Sequence, residues 1–337
     1  MLLSLALATG SSPALAAGFQ AKTMRAPLSA AEVERPLVIG RGWLEFGLGV
    51  DYKLADGHWT DEGGLFTDPG ALDRFESARW MYTTERLDVR YGIARRGELY
   101  WSVPFHYVRL TNEDLGTNIS DFGIGDPRAG WKMEWLRTEA PTSSVITDLE
   151  FKLPAGIEAP GTYIGGPNTV TGFVMSTGTM DVALHVRGKR QFGPAAVTAG
   201  VGYVYRFSGV TQYCIETTEQ QFVCRVKPGD EVRASLEPMV QLGPLALSAE
   251  GLVRIRSATK TGTTSGGFNP DAHLRPIDGT DGVNVDVVPR LTANLTRGFD
   301  LVGAVGIPIA GEDLLFPLEE VTPTYGYTYS LTAEIRY

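Results

Sequence analysis

Between positions 44 and 54 every second residue is apolar and every residue between is glycine or charged. Leu44, Phe46, Leu48, Val50, Tyr52 and Leu54 share one face of an extended chain, and Glu45, Gly47, Gly49, Asp51 and Lys53 share the other. A period of two fits a strand and no helix, with oil on one side and water on the other. The pattern returns at 87–93, 99–107, 145–153, 180–186 and 197–207, in runs beginning near Val232, Leu245, Val283 and Phe299, and last at 325–337. One more run, 122–135, changes phase. Phe122 and Ile124 lie on one parity, Trp131, Met133 and Trp135 on the other, with Asp126-Pro127 between. A single inserted residue flips the facing, so a bulge is expected there. This makes twelve strands. Pro104, Pro238 and Pro289 fall inside them, where each removes a ladder hydrogen bond, and predict bulges or strand ends.

The connections alternate. Long polar stretches occupy 55–77, 111–120, 154–170, 208–229, 258–281 and 310–323; short ones lie near Arg96, Ala140, 188–193, Gly243-Pro244 and Arg297-Gly298. Outer-membrane barrels have long outer loops and short periplasmic turns. An even strand number then returns both termini to the periplasmic side. After the N-terminus no stretch of about 18 consecutive apolar residues exists to make a spanning helix. A sheet inside hydrocarbon must close on itself, because an open edge leaves backbone groups unpaired. The expected fold is an all-β transmembrane antiparallel barrel.

The N-terminus reads as a secretory leader, residues 1–16: an apolar stretch, 2–8, is followed by Ala14-Leu15-Ala16, a small-x-small cleavage pattern. No Lys or Arg precedes that stretch, and no Cys follows the cleavage pattern to carry a lipid anchor. Residues 17–39 form a segment before the first strand, a periplasmic tether or a lumen plug, and 40–337 form the barrel. Cys214 and Cys224 share one polar stretch, which in an exported chain predicts a disulfide stapling a loop. Aromatic residues gather near strand ends, as at membrane interfaces. The net charge of −9 argues against a nucleic-acid partner, which would need a basic face. No cofactor or metal site is expected.

Three short stretches resemble the motifs of a known family. The run Gly123-Ile124-Gly125-Asp126-Pro127-Arg128-Ala129-Gly130-Trp131-Lys132 resembles a motif of the outer-membrane family known as "MetA-pathway of phenol degradation". Phe151-Lys152-Leu153-Pro154-Ala155-Gly156 is similar to that family's Leu-Pro-Thr-Gly strand end, with Ala155 in place of Thr, and Val103-Pro104-Phe105 is similar to its third strand. The resemblance implies an outer-membrane transporter, with hydrophobic or aromatic solutes among the candidates, and carries over no site residue. The chain's end, with Tyr329, Leu331, Ala333, Ile335 and Tyr337 on one face, resembles the C-terminal signal read by the barrel-assembly machinery.

The inward parity carries charges of both signs. The candidate selectivity set comprises the acids Glu45, Asp51, Asp88, Asp148, Glu150, Asp181 and Glu334, and the bases Lys53, Arg86, Arg90, Lys132, Arg187, Arg206, Arg254 and Arg290. They either line a charged path that selects solutes or form ion pairs that narrow the lumen. In the long stretches Asp and Glu outnumber Lys and Arg; this serves solubility or holds divalent cations against lipopolysaccharide. The four histidines do not form a catalytic arrangement: His106 and His185 share the charged parity, and His58 and His273 fall in loops. An outer-membrane lipid hydrolase is therefore the weakest reading, and the chain is not expected to be an enzyme. The leading expectation is an outer-membrane channel passing small solutes, in contact with outer-membrane lipid and lipopolysaccharide; the alternative is a structural or surface-binding barrel with a closed lumen.

Overall fold

The computed structural model describes residues 35–59, 65–66, 78–112, 117–139, 142–156, 176, 178–211, 224–263, 271, 273–276, 281–296, 298–311 and 325–337. The chain forms a closed barrel of twelve antiparallel strands, and the described residues contain no helix. In order these are β1 (Leu44–Trp59), β2 (Ala78–Ala94), β3 (Gly97–Asn112), β4 in two halves (Thr117–Ile124 and Arg128–Glu139), β5 (Thr142–Lys152), β6 (Asp181–Phe192), β7 (Ala195–Arg206), β8 (Glu231–Leu242), β9 (Leu245–Arg256), β10 (Gly282–Thr296), β11 (Phe299–Gly311) and β12 (Tyr325–Arg336). Each strand pairs with the next. The first and last also pair, from Glu45↔Arg336 to Gly57↔Tyr325. Tyr337 completes the seam by exchanging backbone hydrogen bonds with Leu44. No strand edge is left in the ring, which is what lets a sheet lie in hydrocarbon.

The alternation becomes the two faces of the wall. Along β8, Val232, Leu236, Val240 and Leu242 face outward, while Glu231, Arg233, Glu237 and Gln241 point in. Leu48, Trp101, Leu184, Leu247, Leu291 and Leu331 are likewise exposed on the outside. Many large apolar side chains facing out is expected of a membrane-embedded wall. The interior is polar instead. Glu45, Glu98, Glu134, Asp148 and Glu231 are among its most buried side chains.

At the turn end three hairpins carry glycines at positive φ, Gly193 (60°), Gly243 (62°) and Gly298 (100°), where a side chain would be strained. The connection expected at 188–193 is shorter than the sequence implied: β6 runs on to Phe192, and Gly193-Pro194 make the turn. The stretch 111–120 is mostly strand, because Thr111↔Asn118 and Asn112↔Thr117 extend the β3–β4 hairpin. At the opposite, loop end, Gly209–Thr211, Cys224–Lys227, Lys260–Thr263 and Arg275–Pro276 form a separate four-stranded sheet. Leu65–Phe66 pairs with the tip of β1.

The phase change in β4 is the expected bulge. Phe105 pairs with Ile124 and Ser102 with Arg128, so 103–104 face 125–127, two residues against three. Pro104 lies opposite this break, and its carbonyl accepts from Gly125 N at 2.9 Å. In an antiparallel strand a residue's N–H and C=O point to the same side, so the missing donor faces the interruption. Pro238 and Pro289 correct the expectation. Leu236↔Gly251 and Met239↔Ser248 keep one register around Pro238, as do Val287↔Ile307 and Arg290↔Ala304 around Pro289. Each costs only a local gap in one ladder.

Candidate functional site in the barrel lumen

The turn end of the lumen is crossed by residues 35–40. The chain reverses at Gly42, at positive φ (83°), where Gly42 N donates to Gly92 O at 2.7 Å. A Cβ on Gly92 would collide with the Gly40 carbonyl, so glycine there is what lets the segment lie against the wall. Val38 is fully buried and Ile39 nearly so. Ile39 N donates to Glu98 Oε2 at 2.8 Å. Arg35 reaches Glu45 at 2.6 Å and Glu334 at 2.8 Å on β1 and β12, while its carbonyl accepts from Lys189 Nζ on β6 at 2.9 Å. Strands far apart around the ring are thus tied through one short segment. Of residues 17–39, the described ones form a strap across the lumen.

The strap rests on a continuous ion lattice. Glu45 takes Arg90 at 2.6 Å, Arg35 at 2.6 Å and Arg336 at 2.5 Å. Glu98 takes Arg90 at 2.7 Å and Lys132 at 3.0 Å. Arg336 also reaches Asp300 at 2.5 Å. A carboxylate buried this deeply persists only when several donors compensate its lost hydration.

Above the strap a cavity of about 630 Å³ runs along the wall formed by β1 to β6. Arg86 bonds Asp88 at 2.7 Å and Asp51 at 3.3 Å. The Tyr100 hydroxyl is shared between Asp148 at 2.8 Å and Glu150 at 3.1 Å, and Lys132 sits 4.7 Å over its ring. That ring lies across Gly130, where any Cβ would overlap it. Arg128 approaches Glu150 at 3.5 Å and Arg187 approaches Asp148 at 4.0 Å. His106 shares a hydrogen bond with Thr84 at 2.9 Å and stands edge-on to Tyr82. On the far wall Arg290 bonds Glu237 at 2.5 Å and Glu250 at 3.5 Å, and Arg254 bonds Asp286 at 2.5 Å.

Charges of alternating sign ring part of the loop end. Asp126 and Lys152 are 3.9 Å apart, Lys152 and Asp181 2.8 Å, Asp181 and Arg206 3.8 Å, and Arg206 and Glu231 3.1 Å. Arg256 (3.0 Å) and Arg233 complete the shell around Glu231. Here the two motif stretches meet: Asp126 Oδ1 accepts from Gly156 N at 3.2 Å and from Ser176 Oγ at 2.5 Å. The Gly-x-Gly-Asp run supplies the β4 bulge and a carboxylate that fastens the chain leaving β5.

Each charged residue of the candidate set lies on an inward position. Lys53, in register with Tyr82 and Thr328, sits towards the loop end. Opposite signs meet as pairs around the strap, the cavity and the loop-end ring. The candidate set left out the partners Arg35, Glu98, Tyr100, Glu237 and Asp300. Glu98 and Tyr100 were legible, since they share the parity of His106; Arg35 carries no periodic signal. Cys214 lies outside the described residues, so the expected disulfide with Cys224 does too, as do the expected leader and most of the acidic stretches. Tyr329, Leu331, Ile335 and Tyr337 are exposed on the outer face of the closing strand.

No family model and no curated protein matches the sequence. Among solved structures the chain is similar to the COG4313 outer membrane channel from Pseudomonas putida F1, at 12% identity over 89% of this chain and 97% of that one, with a TM-score of 0.66. Looser matches include the translocator domain of the autotransporter NalP from Neisseria meningitidis (9% identity, 89% and 90% covered, TM-score 0.45) and the P. putida toluene transporter TodX (8%, 92% and 92%, TM-score 0.39). The fold is that of an outer-membrane β-barrel. At 12% identity the likeness to the first of these extends to the barrel and not to its cargo.

Proposed function

We propose that this chain is an outer-membrane channel, exported by its leader and inserted from the periplasm, that passes small solutes passively. The observation that carries the reading is the polar cavity enclosed by the closed wall. A barrel serving only as a scaffold needs no such space, and fixed charges around a cavity are the usual means of solute selection. A hydrophobic or aromatic solute is supported by the short motifs that resemble those of the MetA-pathway family. Residues 35–39 would narrow the periplasmic mouth, acting as a plug rather than a tether, and the terminal aromatic strand would be read by the assembly machinery.

One observation favours the alternative, a structural barrel with a closed lumen: the charges cancel pairwise beside the strap. Single-channel recording of the refolded mature chain in a planar bilayer separates the two. Stable current steps are expected; silence from a correctly folded barrel would leave the structural reading.

A further inference from the structure

We propose that the lumen selects small carboxylate-bearing anions, with Arg86, Arg128 and Arg187 as the groups that receive them; this rests on the channel reading and gives it a solute class. By count the cavity wall is close to neutral, with Glu45, Asp51, Asp88, Asp148, Glu150 and Glu334 facing Arg86, Arg90, Arg128, Lys132 and Arg187. The two signs are not equally accessible. The Arg187 side chain is 45% exposed and its partner Asp148 is 5%. Arg128 is 32% exposed against 21% for Glu150, and Arg86 is 36% against 25% for Asp51 and 27% for Asp88. The far wall repeats the order, with Arg254 and Arg290 each more exposed than Asp286 and Glu237. At the strap it reverses for Glu334, which is more exposed than Arg336.

The cause is side-chain length. A short Asp or Glu ends close to the barrel wall, whereas an arginine reaches past it and carries its guanidinium into the cavity. A solute in the cavity therefore meets cationic forks backed by carboxylates. A second observation marks the place: Arg86 and Arg128 flank β3, in register with Pro104 and Ser102, and both line the cavity. Like charges converging inside a lattice of opposite pairs leave an attractive position for an anion between them. A guanidinium fork matches a carboxylate in two parallel hydrogen bonds, which favours that group over a spherical ion. Arg187 holds its own partner most loosely, at 4.0 Å, and is the arm most readily turned to a solute.

The test is the zero-current potential of the refolded mature chain in a planar bilayer under a KCl gradient, with sodium benzoate as the carboxylate probe. Chloride preference is expected, with benzoate reducing the chloride current by occupying the site. In Arg187→Gln the chloride-to-potassium permeability ratio should fall by roughly twofold or more, and Arg187→Lys should keep much of it. Asp148 retains Tyr100 as a donor in both variants, and heat-modifiable gel mobility reports that they fold. Potassium preference, or a ratio unmoved in Arg187→Gln, overturns the inference while leaving a channel. If the folded barrel is silent, equilibrium dialysis in detergent against benzoate and benzylammonium decides. Benzoate bound in preference, and more weakly by Arg187→Gln, retains the anion site and ends the channel reading; no preference ends both.

Discussion

Arg35 and Glu45 meet at 2.6 Å inside the turn end of the barrel, though the chain between them reverses through Gly42 to begin the wall. The same Arg35 bonds Glu334 on the last strand, so one side chain from the leading segment bridges both strands of the barrel's seam. Deleting residues 17–39 should open the turn end and raise single-channel conductance several-fold. Unchanged conductance would show that the strap does not limit passage.

Gly92 offers a subtler route to the same end. Gly92→Leu would place a side chain where the Gly40 carbonyl lies, without removing any ladder hydrogen bond. The strap should detach while the barrel stays closed. Faster thermolysin cleavage within Leu37-Val38-Ile39, with normal heat-modifiable mobility, is the expected result.

Glu45 should be the most sensitive carboxylate of the lattice. Glu45→Gln leaves Arg35, Arg90 and Arg336 converging on a neutral amide. Removing one partner of a buried ion cluster costs about 3–5 kcal/mol, and urea unfolding followed by intrinsic fluorescence would read it. Double substitution with Arg90→Met should recover part of the loss, because fewer unmatched cations remain.

The Tyr100–Gly130 pair sets the shape of the cavity. Gly130→Val forces the Tyr100 ring off the wall and away from Asp148 and Glu150. A loss of about 1–3 kcal/mol is expected from the clash, together with an altered current amplitude. Tyr100→Phe should keep the shape, lose the hydroxyl bond, and change stability less.

At the loop end, Asp126→Ala removes the acceptor shared by Gly156 N and Ser176 Oγ. About 1–3 kcal/mol of local stability should be lost. Limited proteolysis between β5 and β6 should quicken while the transmembrane wall survives; equal protection in the variant would contradict the anchoring role.

Much of the wall was legible in the amino-acid sequence. Glu45, Asp51, Arg86, Arg90, Asp148 and Glu150 were placed inside because a strand's side chains alternate strictly, and the β4 bulge was placed because one extra residue must invert that alternation. Turn boundaries were less legible. At 188–193 glycines flank a polar run that can serve as strand or loop, and pairing with β7 decided for strand. Pro238 and Pro289 misled for a related reason: a ladder held on one side tolerates a local gap on the other.

The alternation along the chain dictates closure into a barrel, the number of its strands, and which side chains face hydrocarbon and which face the lumen. Periodicity and the need to pair every backbone group in a membrane are properties of a single chain read in order. Only the folded barrel shows that residues 35–40 cross the turn end, that Glu98 lies between Arg90, Lys132 and the Ile39 amide, and that Arg86, Arg128 and Arg187 are more exposed in the cavity than the carboxylates they pair with. Those facts depend on the height of each residue along the barrel and on contacts across its width. Strand stagger and closure set both, and parity carries no information about either.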